Sequence, residues 1–174
     1  MARLFVVMGV AGCGKSSIGE ALAEKLGGLY LDGDTYHPAQ NVAKMSRGEP
    51  LTDDDRWPWL ERFGREMHNR DGIVVGGCSA LKRAYRECIT KAAGERTCFV
   101  YLSGSRDLIR ARMDARTGHF MPLSLLDSQF ATLEPPGTDE DAVTVEIDAP
   151  VDAIVARAMA ALKASGDERD FNDK

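Results

Sequence analysis

The 174-residue sequence predicts an α/β domain: a five-stranded parallel sheet flanked by helices. Three observations carry this expectation. Short apolar, β-rich runs alternate along the chain with helical periodicities. One of these runs, Ile73-Val74-Val75, is apolar throughout, as suits a strand covered on both faces. The first run leads straight into a glycine-rich loop that opens a helix.

Leu4-Phe5-Val6-Val7-Met8 forms the first strand, and Ile18, Ala21, Leu22 and Leu26 mark the helix after it. Between them runs Gly9-Val10-Ala11-Gly12-Cys13-Gly14-Lys15-Ser16, followed by Ser17, in the order G-x-x-x-x-G-K-S. The spelling has a physical cause. Glycines let the backbone curl with its N–H groups inward, where a side chain would block a phosphate. The N-terminus of the following helix adds partial positive charge. Lys15 can reach the β- and γ-phosphates of a nucleotide, and the Ser16 hydroxyl can ligate Mg²⁺. Residues 9–17 are therefore the candidate ATP site, and Lys15 is the first candidate catalytic residue. Cys13 within the loop reads as a small filler side chain.

The second strand, Leu29-Tyr30-Leu31, closes on Asp32-Gly33-Asp34. In an extended chain, carboxylates at i and i+2 point to the same side. Facing a γ-phosphate, Asp32 could hold Mg²⁺ through water and Asp34 could orient an attacking hydroxyl. An Asx turn is the alternative that Asp-Gly also favours. Leu60, Phe63 and Met67 mark a helix before the third strand, with Asp53 and Asp54 as candidate N-caps. Leu81, Tyr85, Cys88, Ile89 and Ala92 mark the helix after it, with Ser79 as its candidate cap. Cys98–Leu102 is the fourth strand, Leu108, Ile109 and Met113 mark a further helix, and Val143–Ile147 is the fifth strand. The stripe Val151, Ile154, Val155, Ala158, Met159 and Leu162 ends the domain.

Two stretches break the alternation. Residues 33–60 begin with a polar, turn-rich segment, and residues 114–137 carry Gly118, Pro122, Pro135, Pro136 and Gly137 around a short helical pattern at Leu126, Phe130 and Leu133. Insertions of this length in a compact domain are usually functional. They follow strand ends, where open α/β sheets bind ligands. The first is expected to bind substrate and the second to act as a lid. The expected organisation is one domain over 1–165 and a charged tail over 166–174.

Cationic residues gather in the same segments. His37, Arg47 and Arg56 lie in the first insertion, and Lys82 and Arg86 follow the third strand. Arg112 and Arg116 precede the lid, which carries His119 and Gln129. A basic cleft in a chain of formal net charge −5 suggests an anionic ligand or a clamp on transition-state charge. The overall acidity argues against a nucleic-acid-binding protein. No apolar run approaches a membrane span. The N-terminus enters a strand directly, so no signal peptide is expected. The four cysteines lack metal-ligand spacing, which suits a reducing cytoplasm.

Beyond these separate features, the sequence resembles the gluconate kinase family of small phosphate-loop kinases. The resemblance rests on Met8–Ser16, Leu31-Asp32-Gly33-Asp34 with His37-Pro38, Asn41, Lys44-Met45 and Gly48-Glu49-Pro50-Leu51. It continues through Asp53-Asp54-Asp55-Arg56, Pro58-Trp59-Leu60, Cys78–Lys82, Tyr85-Arg86, Gly118–Met121, Gln129-Phe130 and Leu133-Glu134. Ala11 and Cys13 depart from it, standing where such loops often carry serine. The resemblance implies a nucleoside-monophosphate-kinase-like P-loop NTPase fold and ATP- and Mg²⁺-dependent phosphorylation of D-gluconate on its 6-hydroxyl. It also implies a cytoplasmic homodimer.

On that basis Lys15, Asp34, Arg112 and Arg116 are the expected catalytic residues. Asp34, His37, Arg47, Arg56, Lys82, Arg86, His119 and Gln129 are the expected gluconate contacts, and Ser16 with Asp32 the expected metal site. The residues alone leave open a kinase acting on shikimate, a nucleotide or adenylyl sulfate, or a nucleotide-dependent switch.

Overall fold

A computed structural model describes residues 2–116 and 123–166. The elements run β1 (Leu4–Met8), α1 (Lys15–Leu26), β2 (Leu29–Asp32), α2 (Ala39–Ser46), α3 (Asp53–His68), β3 (Val74–Gly77), α4 (Arg83–Ala93), β4 (Thr97–Ser103), α5 (Arg106–Asp114), α6 (Leu123–Thr132), β5 (Ala142–Glu146) and α7 (Val151–Ser165). All five strands are parallel, in the order β2-β3-β1-β4-β5.

β1 is buried at every position between β3 and β4, which accounts for its unbroken apolar run. The edge strands β2 and β5 carry the exposed positions. The strand order reverses direction at β1, so the crevice beyond its carboxyl end is the switch point where such sheets bind ligands. The register sets Val7 of β1 and Asp32 of β2 against the same residue, Gly77 of β3. The phosphate loop and the Asp32–Asp34 turn therefore leave one edge of the sheet.

α1 begins after Gly14, which adopts φ 98°, a left-handed conformation that costs glycine no Cβ clash. Gly33 is required for a different reason: a Cβ there would run into the carbonyl oxygen of Gly77. Close packing of β2 against β3 thus fixes where the second strand can turn.

The structure differs from expectation at three local points. The segment after β2 is not irregular: a 3₁₀ turn spans Gly33–Tyr36 and α2 follows. α2 is short and buries only Asn41, so it has no apolar stripe to announce it. The cap of α3 is Thr52, not Asp53 or Asp54. The Thr52 hydroxyl accepts from the Asp55 N–H at 3.2 Å, and the Asp55 carboxylate accepts from the Thr52 N–H at 2.9 Å. Asp53 and Asp54 fall in the first turn, where they complement the helix dipole. Ser79 does not cap α4, which starts only at Arg83. The intervening chain bends through Ala80 at φ 43°, a conformation unusual for a residue with a side chain.

Arg86 holds that bend. Its guanidinium is 2% exposed and donates to the Ala80 carbonyl at 2.9 Å and the Leu81 carbonyl at 3.2 Å. It also grips Glu140 through two bonds of 2.8 and 2.9 Å. Every face of the guanidinium has a protein partner, so Arg86 braces the loop after β3 instead of facing a substrate. Arg86→Ala leaves the partly buried Glu140 carboxylate without its cation and two bend carbonyls without their donor, and is expected to lower unfolding free energy by about 3 kcal/mol. Urea denaturation measures this, and an unchanged midpoint would contradict the bracing role.

Candidate active site

The loop after β1 forms the floor of the site. The Lys15 ammonium folds over it and donates to the Gly9 and Val10 carbonyls, each at 3.1 Å. The Ala11 N–H donates to the Gln129 side-chain oxygen at 2.6 Å, which docks α6 against the loop. The Gly9 N–H donates to the Ser79 carbonyl at 3.2 Å and joins the loop to the bend after β3. Cys13 is fully buried, as a filler side chain would be.

The turn after β2 forms the first wall. The Asp32 carboxylate accepts from the Asp34 N–H at 3.0 Å, so the Asx turn forms. The two acids are therefore not carried on one face of an extended strand, as alternation alone suggests. Asp34 sits within the 3₁₀ turn and lines the same cavity as Lys15. Ser16, in the first turn of α1, and Asp32, at the end of β2, are both exposed. Among the described residues no group of three or more His, Cys, Asp or Glu could hold a metal ion. One hydroxyl and one carboxylate suit a cation that keeps most of its water and takes further oxygens from phosphate, as Mg²⁺ does.

α3 supplies the second wall. The Trp59 indole N–H donates to the Gly33 carbonyl at 2.8 Å and is buried. The His37 ring stacks on Trp59 at 3.8 Å between centroids, 22° from parallel. The His37 side chain is 3% exposed, and burial, helped by the Arg56 charge, pushes its pKa down to about 4. Arg56 donates to the Tyr85 hydroxyl at 2.9 Å and lies 5.1 Å from the ring centroid. The Tyr85 hydroxyl donates in turn to Asp53, with Lys82 3.6 Å from the same carboxylate.

These walls enclose a cavity of ≈110 Å³ in which Lys15, Asp34, His37, Arg56, Trp59 and Gln129 meet. Lys82 stands behind Arg56, joined to it through Asp53, and does not line the cavity. Arg47 points away and forms an exposed pair with Glu49 at 2.9 Å. Arg112 donates to the Ile147 and Ala149 carbonyls beyond β5, tying α5 to the rest of the domain. Arg116 is exposed just beyond the end of α5. His119 lies outside the described residues. Sequence alone does not mark Trp59 and Tyr85 as site residues. The signal for both was their place in the matching motifs, but an aromatic at helical spacing is more often simply core.

With the sheet order, the meeting of Lys15 and Asp34 across one cavity places the chain among the phosphate-loop kinases that act on small molecules. A family model described as shikimate kinase matches residues 11–134. The chain is 42% identical over 167 residues to the thermoresistant gluconokinase of Escherichia coli (strain K12), covering 92% of this chain and 94% of that one. It is 47% identical over 146 residues to the gluconokinase of Gluconobacter oxydans (strain 621H), covering 82% of each. The crystal structure of a gluconokinase from Sinorhizobium meliloti 1021 superposes with a TM-score of 0.88 at 46% identity, over 98% of this chain and 97% of that one. The shikimate kinase of Bacteroides thetaiotaomicron, at 17% identity and a TM-score of 0.66, shares the fold. The chain belongs to the gluconokinase family.

The depressed His37 pKa has a consequence for stability. An imidazole that stays neutral to about pH 4 when folded, against its ordinary 6.5, makes the unfolded chain bind more protons between those values. Its contribution is complete above pH 6.5 and is lost as pH falls toward 4. Wild type is expected to lose more stability than His37→Gln across that window. Urea midpoints at both ends of the window measure the difference, and equal losses would remove His37 from the acid response.

Proposed function

We propose that this chain transfers the γ-phosphoryl group of ATP to the 6-hydroxyl of D-gluconate, giving 6-phosphogluconate and ADP. The observation that carries the proposal is the convergence of Lys15, Asp34, His37 and Arg56 on one cavity at the end of β1. The loop amides and Lys15 hold the β- and γ-phosphates. Asp34 accepts a hydrogen bond from the attacking hydroxyl, orients it and takes its proton late, as suits a loose transition state. Arg56 faces the sugar acid with a guanidinium already oriented by Tyr85, ready to pair a carboxylate in two bonds. Trp59 and His37 offer a stacked apolar and polar surface to the carbon chain. Ser16, and Asp32 through water, are the residues that would hold Mg²⁺, which neutralises charge on the phosphates when bound. Arg116 would approach the phosphates as a lid closes on bound substrate and excludes water, a competing nucleophile for ATP.

Among the described residues no helix is long and apolar enough to cross a membrane, and a cytoplasmic enzyme is part of the proposal. A homodimer remains part of the proposal, and analytical ultracentrifugation tests it.

A coupled assay of ADP release with ATP and Mg²⁺ decides the acceptor. Gluconate is expected to support turnover well above shikimate, adenylyl sulfate and nucleoside monophosphates. Turnover with one of the others and not with gluconate would reassign the substrate. Slow hydrolysis with no acceptor dependence would favour a switch. Asp34→Asn is expected to lower kcat by about 10²–10⁴-fold with ATP binding retained. Unchanged turnover in that variant would remove Asp34 from the chemistry.

A further inference from the structure

Asn41 is fully buried, and its side-chain oxygen is the buried polar atom without a partner among the described residues. Its nitrogen, by contrast, is doubly engaged: 2.9 Å from the Asp55 carbonyl and 3.3 Å from His37 Nδ1. The carbonyl can only accept, so the NH₂ end of the amide must face it. That orientation turns the second amide hydrogen toward His37 Nδ1. An amide nitrogen does not accept hydrogen bonds, so a proton on Nδ1 would meet another N–H. The pairing is satisfied only when Nδ1 is bare, and the ring is neutral because it is buried beside Arg56. The proton of a neutral imidazole must then sit on Nε2.

Nε2 lies 3.8 Å from the Asp34 carboxylate, beyond hydrogen-bond length, and His37 lines the cavity. From this geometry we infer that Asn41 is a positioning residue: it fixes His37 as the Nε2–H tautomer, so that His37 donates to an oxygen of the polyhydroxy acid beside Asp34. Three contacts lock the ring for this task. Trp59 fixes its plane, Asn41 fixes its proton, and Gly33 anchors Trp59. Asp34 accepts only, so the two neighbours offer opposite polarity to a hydroxyl-bearing carbon chain. A hydroxyl at this point can donate to Asp34 while an adjacent oxygen accepts from His37. The unpaired Asn41 oxygen is the consequence of committing the other end of the amide.

The inference rests on the gluconate assignment for the substrate but not for the tautomer, and two measurements separate them. Long-range ¹H–¹⁵N spectra of the whole ligand-free protein at pH 7, with His37 assigned through His37→Gln, report the ring protonation directly. Wild type is expected to show protonated Nε2 and bare Nδ1. Asn41→Asp, which presents an acceptor, should move the proton to Nδ1, and Asn41→Leu should leave a mixture. Steady-state kinetics then follow the consequence. Asn41→Leu is expected to raise KM for gluconate about tenfold, the loss of roughly one hydrogen bond, with kcat and KM for ATP little changed. In a His37→Phe background Asn41→Leu should add nothing. Thermal melts check that each variant is folded, and Asn41→Leu keeps the branched heavy-atom skeleton of the side chain.

Protonated Nδ1 in wild type overturns the inference, as does a gluconate effect of Asn41→Leu that persists without His37. A wild-type enzyme inactive on gluconate overturns the substrate and with it the donor role, while the spectrum still decides the tautomer.

Discussion

The hydrogen bond from the Trp59 indole to the Gly33 carbonyl ties the catalytic edge of the sheet to the substrate wall. It is buried and 2.8 Å long, and it closes the first insertion by joining the end of β2 to α3. Gly33 is itself pressed against the Gly77 carbonyl of β3. The position of Asp34 relative to the phosphate loop is thus set from both sides: by strand packing beneath and by α3 above. A buried carbonyl left without its donor would be costly, so the arrangement is locked as a unit. The ring of His37 inherits its plane from the same indole.

The cations divide into two kinds, and the division follows their partners. Arg86 and Arg112 satisfy backbone carbonyls at bends and element ends, where orphan acceptors need donors. Arg47 meets a carboxylate two residues away on the surface. Arg56 alone of the arginines discussed lines the cavity, held by a tyrosine hydroxyl and an aspartate that leave one side of it toward the cleft. A basic cleft in an acidic protein therefore needs few cations, provided that they are oriented. Burial removes the screening that makes surface charges weak.

Much of the fold was legible because its signals are local. The unbroken apolar run of β1 requires cover on both faces, and the glycine spelling of the loop admits few backbone conformations. α2 was not legible, since a helix that buries a single asparagine carries no period. The cap of α3 is not legible in sequence because three consecutive aspartates all suit a first turn, and only the reciprocal Thr52–Asp55 bonds select one register. Trp59 and Asn41 are hidden in sequence for a related reason. Their chemistry lies in what they touch, and neither residue type announces a ligand.

By itself, the sequence determined the parallel sheet, the phosphate loop and the family. Those follow from periodicity and from glycine and lysine at fixed spacing, which act within a few residues. Only the tertiary structure decided which charges face the cavity. Arg56 and Arg86 are indistinguishable as letters near the ends of helices. One is left open to the cleft and the other is closed on Glu140, far away in the chain, because hydrogen-bond partners are allotted by packing in three dimensions.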